Sequence, residues 1–159
     1  MSALRRTRPG DLMPPLVIVG VIVYVLLRTS YSAFPPMHYV VPLPLAVLAV
    51  AELVAARRVR AAVRHEPDAK AMAAIVIARC VALGKASSLT GAAVAGAAIG
   101  LLAYVVPDAS SISAAAQDTR VGALLLGAAL AVLVAGLLLE RAGVDPGSSE
   151  QPPTARQLS

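Results

Sequence analysis

Apolar residues dominate four long stretches of the chain, residues 12–27, 40–56, 86–106 and 121–139, and every charged residue except Glu52 lies outside them, as do most of the prolines. A helix rises about 1.5 Å per residue, so roughly 20 apolar residues cross a hydrocarbon layer about 30 Å thick, and these runs bracket that length. The pattern predicts an all-α membrane protein whose residues 1–141 form one domain of four transmembrane helices, at about residues 12–31, 40–57, 85–106 and 120–139. Pro14 and Pro15 fall near the start of the first run, where missing N–H groups cost little. Phe34, Pro35, Pro36, Pro42 and Pro44 predict an extended, stiff connection before the second helix settles. No buried strand is expected.

Apolar character also runs unbroken from Ala71 to Val106, too far for one span. Counting back about 22 residues from Pro107 puts Lys85 near the bilayer boundary, so residues 69–84 read as an interfacial or cytoplasmic helix continuous with the third span. A re-entrant hairpin is the alternative. Residues 108–119, rich in serine and alanine, read as a polar loop without a fold of its own, and residues 142–159 as a disordered cytoplasmic tail.

Charge sets the orientation. With the N-terminus in the cytoplasm, that side holds Arg5, Arg6, Arg8, Arg57, Arg58, Arg60, Arg64, Lys70, Arg79, Lys85, Arg141 and Arg156, and the other side only Arg28 and Arg120. Twelve against two, in short loops, is a strong bias under the positive-inside rule, and it predicts both termini in the cytoplasm. The five aromatics, Tyr24, Tyr31, Phe34, Tyr39 and Tyr104, all fall on the opposite side, where a ring can keep one end apolar and its hydroxyl wet.

Composition agrees. In 159 residues, 58% hydrophobic with a mean hydropathy of +0.75, four spans leave little material for a soluble domain. A net charge of +5 and a pI near 10.0 would raise nucleic-acid binding for a soluble chain. Here the basic residues flank the spans and point to anionic lipid headgroups instead, with no nucleic-acid partner. One cysteine, Cys80, excludes an intramolecular disulfide and a multi-cysteine metal site. The N-terminal arginines before an apolar run resemble a secretory leader, but Tyr31 spoils the small-residue pattern a cleavage after Ala33 would need, so an uncleaved first helix is expected.

Candidate chemistry is sparse. Glu52, twelve residues after Val40, falls about 18 Å below the outer boundary, inside the hydrocarbon. An unpaired carboxylate there is costly, so it is expected to be protonated or paired, with Arg79 or Lys85 of the third helix as candidate partners. A proton or ion relay and a structural ion pair both fit such a group. Glu140 reads as a solvated interface charge. Arg57, Arg58, Arg60 and Arg64 are the expected contacts for anionic lipid, each adding about 1 kcal/mol of attraction. Gly84, Ser88 and Gly91 form one small-residue seam of the third helix, and Gly96 and Gly100 another, suited to close helix packing within the chain or between copies.

Several chemistries are excluded. Gly84-Lys85-Ala86-Ser87 lacks the first glycine and the hydroxyl of a phosphate-binding loop. His38 and His65 fall on opposite sides of the membrane, so no metal site is expected, and no cofactor is implied. Ser32, His38 and Asp108 lack the spacing of a nucleophile elbow.

Arg6-Thr7-Arg8-Pro9 before the first span, the proline-rich loop, Ala55-Ala56-Arg57-Arg58-Val59-Arg60, and Ala78-Arg79 followed by Leu83-Gly84-Lys85-Ala86-Ser87 and Gly91-Ala92 resemble one family, as does Leu139-Glu140-Arg141. This is the domain-of-unknown-function 3180 (DUF3180) family of small actinobacterial membrane proteins. Gly84 stands where that family's motif has alanine. The resemblance implies four helices, a gene neighbourhood of folate biosynthesis and no assigned activity; no catalytic residue carries over. The expected role is that of a non-enzymatic helper or scaffold in the cytoplasmic (inner) membrane, multi-pass, packing against another membrane protein or a second copy. The alternative is an oligomeric small-solute or ion transport element using Glu52 with Lys85 or Arg79.

Overall fold

The computed structural model describes residues 9–30, 38–64, 72–110 and 112–143. Its elements are α1 (Pro9–Ser30), α2 (Leu43–Val63), α3 (Ala74–Val105) and α4 (Ser113–Ala142), with one 3-10 turn at Val106–Asp108. Among the described residues there is no strand. Arg5, Arg6, Arg8, Tyr31, Phe34, His65, Lys70, Arg156 and the expected tail beyond residue 143 lie outside the described residues.

Helix limits depart from the hydropathy reading for identifiable reasons. α1 begins at Pro9, with Asp11 in the first turn, where a negative charge suits the helix dipole. Pro14 and Pro15 therefore sit one turn inside the helix rather than at its start. Turns with Val41 N–H donating to the His38 carbonyl and Leu43 N–H to the Val40 carbonyl lead into α2. Pro44 occupies the first turn of α2, where no intrahelical N–H bond is due. The helix then runs past residue 57 to Val63, because Val59 is fully buried and carries the packing face beyond the arginines. α3 is one unbroken helix of 32 residues, about 48 Å long, with no turn between Ala74 and Val105. The expected polar loop at residues 108–119 is largely helical: α4 starts at Ser113, since Ala115 is buried with Leu27, Leu101 and Val105 and extends the core by two turns.

The helices form an open row rather than a closed bundle. α3 and α4 pack together at the centre, α1 lies on α3, and α2 lies on α4 with only a marginal touch on α3; α1 and α2 make no contact. Direction follows from the close approaches. Gly96 abuts Leu16, and Gly100 abuts Gly20 and Tyr24, so α1 and α3 run parallel. Gly84 meets Gly136 and Glu140 whereas Gly91 meets Ala129 and Leu133, so α3 and α4 run antiparallel. Ala56 and Val59, near the end of α2, cluster with Leu139 and Ala142 at the end of α4, and because the two helices pack extensively the rest of α2 lies along earlier turns of α4, so they run parallel.

Small residues make this row possible. Where apolar lipid removes the hydrophobic drive between helices, close backbone approach supplies the attraction, and α3 buries Ala92, Ala95 and Ala98 fully along its two faces. Larger side chains fill the two ends. Leu27, Leu101, Val105 and Ala115 form one cluster, beside the edge-to-face pair Tyr24–Tyr104 with centroids 6.4 Å apart at 73°. Ala56, Val59, Leu139 and Ala142 form the other, with Met72, Ile77 and Cys80 against it.

Three helices, α1, α3 and α4, are long and apolar enough to cross a membrane. α2 is not among them: residues 43–56 give only about 21 Å of helix before Arg57, Arg58 and Arg60, and Glu52 interrupts even that stretch.

Candidate functional site

Polar groups gather where the C-terminal half of α2 meets the start of α3 and the end of α4. α2 buries Ala49, Glu52, Ala56 and Val59, a stripe at spacings of three, four and three that faces α4. Glu52 shares that stripe and is carried inside with it, 2% exposed. Neither of its carboxyl oxygens has a hydrogen-bond partner. The polar group that α3 brings to the carboxyl is Ser87, itself buried, rather than either expected cation. Arg79 is exposed, and Lys85 is half-buried with an interaction of its own.

Ser87 was not foreseen, although Ser88 beside it was. Ser88 lies on the seam facing α4 and donates to the Lys85 carbonyl at 2.9 Å, a bond that closes on its own helix and leaves nothing to offer Glu52. Burying a carboxyl among apolar and small residues without a full set of donors is costly, so the packing of α2 on α4 must hold it there.

Glu140 is also buried, 4% exposed, and not the solvated interface charge its place beside Arg141 suggested. The cause is Gly84: its missing side chain lets α4 come so close that a Cβ there would stand 2.8 Å from the Glu140 nitrogen and 2.6 Å from the Gly136 carbonyl oxygen. Glu140 is partnered within the protein, as is Asp118, 5% exposed, at the opposite end.

Beyond Glu52 toward the C-terminal ends of α2 and α4, both helices line a groove of about 500 Å³. Arg57, Arg60 and Arg64 enter it from α2 and Arg141 from α4, over apolar positions that include Leu53, Ala56 and Leu138. Spacings of three and four put Arg57, Arg60 and Arg64 on one helix face; Arg58, about 100° further round, does not line the groove. Among the described residues no acid is paired with any of the four lining arginines. Sequence reading grouped Arg58 with the others by proximity and missed Arg141, 77 positions beyond Arg64, because nothing local says that α2 and α4 end side by side.

Both glycine seams of α3 are occupied inside the chain: Gly84, Ser88 and Gly91 lie against α4, and Gly96 and Gly100 against α1. Among the described residues no group of three histidine, cysteine or acidic side chains could hold a metal ion.

Apolar helices of membrane-crossing length, joined by close backbone contacts, are those of a membrane protein. A family model described as protein of unknown function (DUF3180) matches residues 12–146, and the chain belongs to that family. No curated protein and no solved structure matches the chain.

Proposed function

We propose that this chain is a multi-pass protein of the cytoplasmic (inner) membrane that serves as a non-enzymatic scaffold, packing against another membrane protein or a second copy of itself. α2 is the fourth span, its arginines snorkelling to the surface where its apolar stretch runs out. Both termini are cytoplasmic, by the distribution of basic residues, and anionic lipid meets the arginine end.

The observation that carries the scaffold reading is the open row. α1 touches α3 alone, only 11% of its apolar window is buried, and Val17, Val21 and Val25 stand about half exposed along it. Such an edge helix is well placed to meet a partner. Purification of the full chain from its own cells in mild detergent tests this. A stoichiometric second membrane protein, or a homodimer, is the expected result; monodisperse monomer with no companion at any detergent concentration overturns the reading.

A transport element is the second reading, and the unsatisfied Glu52 carboxyl is what favours it. The absence of Lys85 and Arg79 from that carboxyl weakens it. Flux in reconstituted vesicles that is equal for wild type and Glu52→Gln, both at background, removes it.

A further inference from the structure

We infer that the groove between α2 and α4 is a binding site for the headgroup of a phospholipid carrying two phosphates, held by Arg57, Arg60, Arg64 and Arg141. Four arginines line it, and none is paired with an acid among the described residues. One phosphodiester would leave three charges uncompensated, and two phosphates use the forks of all four arginines in bidentate contacts. The volume, about 500 Å³, is of ligand size (roughly 300–1,000 Å³) rather than that of a single water or ion.

A lipid, rather than a soluble phosphate, follows from what lies below the arginines. Leu53 and Leu138 line the groove, and from them two exposed apolar rows lead away along the helices: Val50 and Val47 on α2, Val134 and Leu130 on α4. Because α2 and α4 run parallel, these rows descend side by side from the charged end and provide a track for acyl chains. The inference needs α2 and α4 in a bilayer but not the scaffold reading, so the two can fail separately.

Arg58 supplies the internal control, since it has the same charge on the same helix but lies outside the groove. Full-length protein in neutral detergent would be titrated with cardiolipin, phosphatidylglycerol, phosphatidylcholine and inorganic pyrophosphate, with bound lipid read by native mass spectrometry. Cardiolipin is expected to bind at one equivalent and ahead of phosphatidylglycerol. Arg60→Gln or Arg141→Gln should each weaken it about fivefold, their combination about 25-fold, and Arg58→Gln less than twofold. Unchanged melting temperatures of these surface variants would show that folding is not the cause. Equal losses for Arg58→Gln and Arg60→Gln would reduce the effect to diffuse surface charge and overturn the proposal. Pyrophosphate displacing cardiolipin at equal concentration would overturn the lipid assignment in favour of a soluble diphosphate.

Discussion

Alanine at Gly84 should unfasten the centre of the molecule, whereas the same change at Gly127, on the partner helix, should not. A Cβ at residue 84 would lie 2.6 Å from the Gly136 oxygen and 2.8 Å from the Glu140 nitrogen, both backbone atoms that no rotamer change can move. Ordinary contact begins at 3.4 Å, so α3 and α4 must part by about 0.8 Å around this crossing. Each atom pair contributes about 0.1–0.2 kcal/mol, and a gap of about 0.5–1 Å forfeits a quarter to a half of that. With on the order of 20–30 pairs near the crossing, the loss is about 1–2 kcal/mol, inside the usual cost of overpacking, about 1–3 kcal/mol. Gly127 has nothing within 4 Å, so Gly127→Ala registers only the helix-propensity gain of about 0.5–1 kcal/mol. Both variants gain that propensity, so thermal unfolding in one detergent should separate them by the clash alone, about 1–3 kcal/mol, with Gly84→Ala the less stable. If Gly84→Ala melts with Gly127→Ala, the close crossing is not what holds α3 to α4.

Glu52→Gln should leave the melting temperature unchanged or raise it, because no ion pair is lost with the charge and the amide oxygen still faces Ser87; a fall of more than about 1 kcal/mol would reveal a cationic partner and contradict the geometry. Gly96→Leu should detach α1 from α3, since even a Cβ there collides with the Leu16 backbone, at a cost of about 1–3 kcal/mol; retained stability would place α1 elsewhere. In a Cys80→Ser background, a membrane-impermeant maleimide applied to intact cells should label Ala109→Cys and spare Arg64→Cys, and the reverse pattern would invert the proposed topology.

Much of this architecture was legible along the chain because lipid imposes a length and a composition on any segment that crosses it. The runs at residues 12–27, 86–106 and 121–139 mark α1, α3 and α4, and the spacing of Gly84, Ser88 and Gly91 against Gly96 and Gly100 marks two faces of α3. Helix ends were less legible. Residues 113–119 look polar, yet Ala115 reaches the core, and burial of one alanine decides a boundary that composition cannot. Neighbourhood was least legible of all. That α4 separates α2 from most of α3, that Ser87 and not a cation meets Glu52, and that Arg141 joins Arg57, Arg60 and Arg64 depend on which helices touch, information that residues far apart in sequence hold only jointly.

The lack of contact between α1 and α2 has a consequence in time. Synthesis delivers the chain N-terminus first, so the first two helices emerge as neighbours with no surface to share. α2 must wait for most of its packing until α4 is made, for the stripe Ala49, Glu52, Ala56 and Val59 faces that helix and meets only the first half of α3 beforehand. A nascent chain released before residue 113 would therefore leave Glu52 without the α4 face that buries it. α4, made after the other three described helices, supplies the surface that α2 lacks until then.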